Sequence, residues 1–193
     1  MPAGSSAINI LSQALSRGNS MSTLSGSEQP INRVRRRDRA VEDETWIRNF
    51  LRDAHYAVVA TESEGQPFLN PLLFVYDQQS NSIYFHTGRA GRIFANIAQN
   101  PRVCLNVCRM GQLIAEPEAC RFDVAYDSVT VFGRALVLDE PQPAANALRL
   151  LLAKYFPNLR YGEDFAPITP EQLARAAVYQ IEMDAWSGKR NAP

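Results

Sequence analysis

AVVATESEGQPFLNPLLFVYDQQSNSIYFHT, Ala57 to Thr87, carries three apolar and β-branched runs parted by turn residues. Ala57 to Thr61 is a short apolar run, Glu64-Gly65 supplies a turn, and Pro67 to Tyr76 resumes as a strand, so the pair reads as a hairpin. Asp77 to Asn81 is the next turn, and Ser82 to Thr87 is a third strand. Upstream, Asp43 suits an N-cap, after which Trp46, Ile47, Phe50, Leu51 and Ala54 recur on one helical face. Downstream, Gly88 to Gly91 forms a tight loop into a short helix, Arg92 to Gln99, with Ile93, Phe94 and Ile97 inward and Asn100-Pro101 as its stop. Two more strands follow, Arg102 to Ala115 and Phe122 to Leu138, and Gly133 marks a bulge or a close backbone approach in the second. Pro141 opens a helix through Tyr155 with Leu148, Leu150, Leu151 and Leu152 on its apolar face. A Pro-punctuated loop through Pro170, a short helix from Glu171 and a final strand, Ala177 to Met183, complete the order. That order lacks the strand-helix alternation of a parallel doubly wound sheet and predicts a mainly β fold, an antiparallel barrel with peripheral helices.

Composition narrows the partners. The 20 Lys and Arg residues cancel the 20 Asp and Glu residues, so no global field draws a polyanion or an acidic membrane. The basic run Arg33, Arg35, Arg36, Arg37 and Arg39 is interrupted by Asp38 and followed by Glu42, Asp43 and Glu44, which favours a solvated or dimer-bridging segment over a nucleic-acid site. No stretch approaches the roughly 20 apolar residues of a membrane helix, so the expectation is a soluble protein with no membrane or nucleic-acid partner. Cys104, Cys108 and Cys120 are an odd set with no secretory leader, which fits reduced, buried thiols in the cytoplasm. Their spacing, even with the chain's two histidines His55 and His86, lacks the second close pair of a zinc site, so no metal is expected. Residues 1 to 32 are rich in Ser, Gly, Asn and Gln with no sustained apolar period; they are read as a flexible extension, and 33 to 193 as the folded domain.

Three segments carry candidate chemistry. His86-Thr87-Gly88-Arg89-Ala90-Gly91-Arg92 lies between a strand end and the first turn of a helix. Its glycines let backbone N–H groups turn towards an anion, the helix N-terminus adds partial positive charge, and Arg89 and Arg92 offer charge-assisted bonds. It is neither a Walker loop nor a dinucleotide fingerprint, and a Gly-containing turn with solvated arginines is the plain alternative. Asn70-Pro71-Leu72-Leu73-Phe74 is a strand with a mid-run proline, which must be an edge or bulged. Its free backbone groups could read the polar edge of a planar heterocycle. Trp186-Ser187-Gly188-Lys189-Arg190 sets an aromatic plane and two cations just beyond the last strand, for packing or for a ligand. His55, at the end of the first helix, reads as structural, and Tyr155, Phe156, Tyr161 and Phe165 either line a pocket or pack ordinarily.

Taken with RRRDR at Arg35 to Arg39, NPLLFVYD at Asn70 to Asp77, IYFHTGRAGR at Ile83 to Arg92, Asn100 to Cys104, Tyr126 to Val129 before Phe132 to Ala135, and the Ser187 to Arg190 ending, these segments give a specific order and spacing. From about Arg33 to Arg190 the chain resembles the flavin-nucleotide-binding split barrels related to pyridoxamine 5′-phosphate oxidase, and within them the nitroimidazole-resistance branch. The resemblance implies a homodimeric, six-stranded antiparallel split barrel that binds FMN at the dimer interface. By position it places Asn70, Pro71, Leu72 and Leu73 along the isoalloxazine edge, His86 beside the flavin, and Thr87, Arg89, Gly91, Arg92 and Ile93 about the phosphate. Ser128, Trp186 and Lys189 would add contacts from the same or the partner subunit.

One departure bounds the activity. The true oxidases carry an Arg-x-His substrate motif after their C-terminal tryptophan, whereas Trp186 is followed by Ser-Gly-Lys-Arg. The expectation is therefore an FMN-dependent oxidoreductase passing electrons from a reduced small-molecule donor to a small acceptor such as a nitro-heterocycle, not an oxidase of pyridoxamine phosphate. His86 is the candidate catalytic residue, as proton donor or orienting group, against a plain role in bonding the flavin or the backbone. The alternative is a non-catalytic module holding flavin, haem or a deazaflavin in the same cleft.

Overall fold

The computed structural model describes residues 29–192. Most of the expected N-terminal extension lies outside the described residues. The elements are β1 (Ala40–Val41), α1 (Glu44–Asp53), β2 (Ala57–Ser63), β3 (Gln66–Leu72), β4 (Phe74–Asp77), β5 (Ser82–Gly88), α2 (Arg92–Gln99), β6 (Arg102–Ile114), β7 (Asp123–Val137), α3 (Pro141–Tyr155), α4 (Pro170–Arg175) and β8 (Ala176–Asn191). All strand pairings are antiparallel.

The sheet order is β3-β2-β6-β7-β8-β5-β4, with β1 paired to β8 off this path. Strands β3 and β4 end the path on opposite sides, yet only Leu73 separates them in the chain. Two Cα steps reach at most about 7.6 Å, whereas a flat sheet of this order would set its end strands roughly 28 Å apart. The sheet must therefore curl until its ends meet. No ladder joins β3 to β4, so the barrel is split at that seam.

Among the described residues eight strands form where six were expected. The two-residue β1 is one addition, and the other comes from the expected strand Pro67 to Tyr76, which breaks at Leu73 because its halves pair with different partners, β2 and β5. The β2–β3 hairpin turns on Glu64 (φ 53°) and Gly65 (φ 79°), the left-handed pair a tight two-residue turn demands. At Gly133 both expectations hold. The β7–β8 register shifts between Phe132 and Gly133, and a Cβ there would lie 2.2 Å from the Glu182 carbonyl oxygen.

Alternation fills the barrel with Val59, Phe74, Ile83, Phe85, Leu105, Val131, Tyr179 and Ile181, none of them more than marginally exposed. The same alternation turns Cys104, Asn106 and Cys108 outward from Val103, Leu105 and Val107. The thiols are therefore not buried as expected: Cys104 is half-buried, and Cys108 and Cys120 are exposed. Helix α1 starts at Asp43, whose carboxylate accepts from the Thr45 and Trp46 N–H groups, and it buries Ile47, Phe50 and Leu51. On α3 the expected apolar face shifts, with Ala144, Ala147 and Leu151 buried and Leu150 exposed. No described helix is long and apolar enough to cross a membrane.

Candidate functional site

Helix α2 is fixed to β2 by polar bonds that the apolar pattern did not reveal. Buried Asn96 donates to the Thr61 hydroxyl (2.9 Å), Asn100 donates to Glu62 (2.9 Å), and the Ser63 hydroxyl donates to Gln99 Oε1 (2.6 Å). This sets the N-terminus of α2 close to β3, the neighbour of β2. Gly91 is its N-cap, with φ 106° and no side chain capping the first-turn N–H groups. A Cβ at Gly91 would meet nothing within 4 Å. Among the described residues no side chain caps the first-turn donors, an arrangement that suits an anion.

Arg92 is exposed, and its guanidinium lies 5.4 Å from the centroid of the Phe68 ring on β3. The cation of the cradle and the edge strand therefore meet, through a phenylalanine that the sequence did not single out. Asn70, Pro71 and Leu72 lie on β3, at the end of the sheet as Pro71 requires, with Leu73 at the seam beside them. Thr87 is half-buried, and its hydroxyl donates to the Gly88 carbonyl (2.9 Å). Ile93 points its side chain into the core, so only its backbone is available to a ligand. Arg89 turns elsewhere: its Nε donates to the Ala176 carbonyl (3.0 Å), and its guanidinium stands 3.9 Å from Asp139.

Strand alternation separates His86 from Thr87. Phe85 belongs to the barrel core, and Tyr84 packs beneath α3, so His86 faces the α3 side. There it borders a cavity of about 290 Å³ with Leu73 and Leu152. One side of the imidazole is open to solvent, and partial burial against this wall lowers its pKa below the usual histidine value. The neutral ring is then the prevailing form at pH 7, able to donate from one nitrogen and accept at the other. Tyr155, at the end of α3, fastens the seam: its hydroxyl accepts from the Phe74 N–H (3.1 Å) and lies 2.7 and 2.8 Å from the His55 and Phe74 carbonyls.

Ser128, Trp186 and Lys189 lie apart from Thr87 and the α2 cradle within one chain. Ala177 pairs with Thr87, and the run of β8 from Ala177 to Lys189 covers roughly 40 Å at 3.3 Å per residue. The Trp186 to Arg190 segment is strand, not a tail beyond it. Ser128 pairs with Lys189, and β1 pairs Ala40 with Lys189 and Val41 with Gly188. Trp186 packs on the core with the Arg48 guanidinium 4.8 Å from its ring centroid, and Asn32 donates to its carbonyl (3.0 Å). Lys189 Nζ lies 5.5 Å from the Tyr126 ring centroid. In the basic run, Arg36 pairs with Asp38, and Arg39 pairs with Asp123 of β7. The described residues contain no group of three His, Cys, Asp or Glu side chains placed to hold a metal ion.

Solved structures share this architecture. The flavocytochrome Anf3 from Azotobacter vinelandii is 24% identical with a TM-score of 0.75, over 83% of this chain and 73% of its own. The FAD and heme binding protein from Mycobacterium smegmatis is 17% identical with a TM-score of 0.72, over 80% and 74%. A proposed 5-nitroimidazole antibiotic resistance protein from Bacteroides thetaiotaomicron is 20% identical with a TM-score of 0.66, over 78% and 86%. No curated protein matches the chain. The family model for pyridoxamine 5′-phosphate oxidase matches residues 43–190, from the N-cap of α1 almost to the end of β8. With a split barrel spanning that same stretch, the chain belongs to the pyridoxamine 5′-phosphate oxidase family.

Proposed function

We propose that this chain is a flavin-binding protein that holds FMN between two copies of itself and serves electron transfer from a reduced donor to a small organic acceptor. The observation that carries the reading is the meeting of the uncapped first turn of α2, the exposed Arg92 and the edge strand β3 through Phe68. Arg92, Thr87 and the α2 N–H groups would hold the phosphate, while the backbone of Asn70 to Leu73 would face the ring edge. Bonds to charged groups contribute roughly 1.5–3 kcal/mol each, and micromolar binding needs about 8 kcal/mol, so phosphate contacts plus ring burial suffice.

A bound flavin would supply the redox chemistry; the chain's part is binding, placement and exclusion of water. Neutral His86 suits orientation of a ligand by a hydrogen bond better than donation from an imidazolium. The distance along β8 between Thr87's partner and Lys189 supports a role for a second copy. Ser128, Trp186 and Lys189 would approach the same flavin from the partner subunit. The FAD and heme binding relative gives the flavin assignment further support.

The test is FMN titration of flavin-free protein, followed by fluorescence quenching, for wild type and Arg92→Ala. Micromolar binding weakened roughly 10- to 100-fold by the substitution is expected, from the loss of about 1.5–3 kcal/mol. Failure of the wild type to bind FMN would refute the proposal.

A further inference from the structure

Helices α3 and α4 cover β5 and β8 from outside the barrel, and the cavity of about 290 Å³ lies beneath them. Leu148, Leu151 and Leu152 of α3, with Leu73, Phe156 and Ile168, make its walls apolar. Three lining side chains carry polar atoms: His86, Tyr155 and Gln172. The Tyr155 hydroxyl is already engaged at the seam. Gln172 Oε1 accepts from the Thr169 N–H in the capping box of α4. The imidazole of His86, which can donate from one nitrogen and accept at the other, and the amide NH2 of Gln172 are thus the polar groups left to a ligand. Among the described residues no charged side chain lines the space.

A charged group placed against these walls would lose part of its hydration and find no counter-ion. An apolar ring laid against these leucines removes apolar surface, its own and theirs, from water. The volume lies at the lower end of the range for small-molecule sites. We propose that this cavity binds a small uncharged aromatic compound of one or two rings, oriented by a hydrogen bond to His86. This deepens the flavin reading and rests on it for the ligand's role: Leu73 belongs to the proposed flavin surface and lines the cavity together with His86. A compound held here would lie where an electron acceptor is needed. These walls offer a phosphate or carboxylate no counter-ion, so such compounds should bind more weakly.

The probe is 1-naphthol, uncharged at pH 7, with 1-naphthyl phosphate as its charged counterpart on the same ring system. Titration calorimetry is run on the full chain, flavin-free and FMN-treated, for wild type, Leu148→Trp and His86→Ala. Saturable binding of 1-naphthol is expected, at least tenfold tighter than any displacement of it by 1-naphthyl phosphate. Leu148→Trp, which fills the cavity, should weaken 1-naphthol binding at least tenfold while FMN titration stays as in wild type; His86→Ala should weaken it several-fold. Leu152→Trp serves as the second filling variant should Leu148→Trp fail to fold. Equal binding by either filled variant, or effective displacement by the phosphate, overturns the proposal. So does a Soret band in the purified protein that is lost in the filled variant, because the space would then hold a porphyrin. Binding of 1-naphthol in a chain that takes no FMN leaves the cavity site standing and fells the flavin reading. FMN binding without 1-naphthol binding does the reverse.

Discussion

Lys154→Met should stabilise the protein at neutral pH. Lys154 Nζ is buried with no hydrogen-bond partner among the described residues, 4.1 Å from the Phe74 ring centroid and 5.4 Å from that of Tyr155. Desolvation lowers its pKa from 10.5 to about 8, with Asp53 opposing the fall. At 1.36 kcal/mol per unit this is about 3 kcal/mol against the charged form. Because the side chain as a whole is only partly buried, solvent screening reduces this to about 1–2 kcal/mol. The cation–π contacts offset about 0.5–1 kcal/mol, leaving a net gain near 1 kcal/mol for a methionine, which keeps the apolar stem. Below pH 8 folded and unfolded chains both carry the proton; between about 8 and 10.5 only the unfolded chain does. Stability of the wild type therefore rises with pH through that window, and the advantage of Lys154→Met shrinks. Urea unfolding of both proteins at pH 7 and pH 10 reads the effect. A variant no more stable at pH 7, or an advantage undiminished at pH 10, would refute the reasoning.

Gly133→Ala drives a Cβ to 2.2 Å from the Glu182 carbonyl, so the β7–β8 ladder must move; a loss of about 2–3 kcal/mol in urea unfolding is expected. Tyr155→Phe removes the acceptor for the Phe74 N–H at the seam and should cost about 1–3 kcal/mol, read as a lower Tm. Gly91→Val places a branched side chain at φ 106° and should cost about 1–3 kcal/mol. The same substitution should weaken FMN binding in fluorescence titration. The depressed pKa of His86 means that the unfolded chain takes up a proton near pH 6.5 that the folded chain resists. Stability should fall as pH drops below 6.5 towards the folded value, and His86→Gln should flatten that part of the profile between pH 7.5 and 5.5.

Local chemistry made much of the fold legible. Asp43 before an amphipathic run, the bounds of Arg92 to Gln99, Pro141 at the start of α3 and Gly133 in a long strand each state their role within a few residues of sequence. The break at Leu73 was hidden because Leu72-Leu73-Phe74 is continuously apolar, and what divides it is the choice of partners for its halves. The length of β8 was hidden for a similar reason. Trp186-Ser187-Gly188-Lys189 looks like a chain end, yet Val41 and Ile47 close over Gly188, where a Cβ would lie 3.0–3.1 Å from them. At the candidate site, the glycines and Arg92 marked the cradle. The turn of Arg89 towards Ala176, the place of Phe68 under Arg92 and the cavity under α3 all depend on contacts between residues distant in the chain.

The position of β8 in the sheet bears on how the barrel is made. It pairs with β1, β5 and β7, whose residues span Ala40 to Val137, and it follows all of them in the chain. During synthesis those strands leave the ribosome with their β8-facing edges unmatched. The two ends of the sheet are already tied through Leu73, but the middle of the path is missing. Closure therefore waits for the last strand to emerge, and until then the nascent chain presents exposed edges of the kind that chaperones guard.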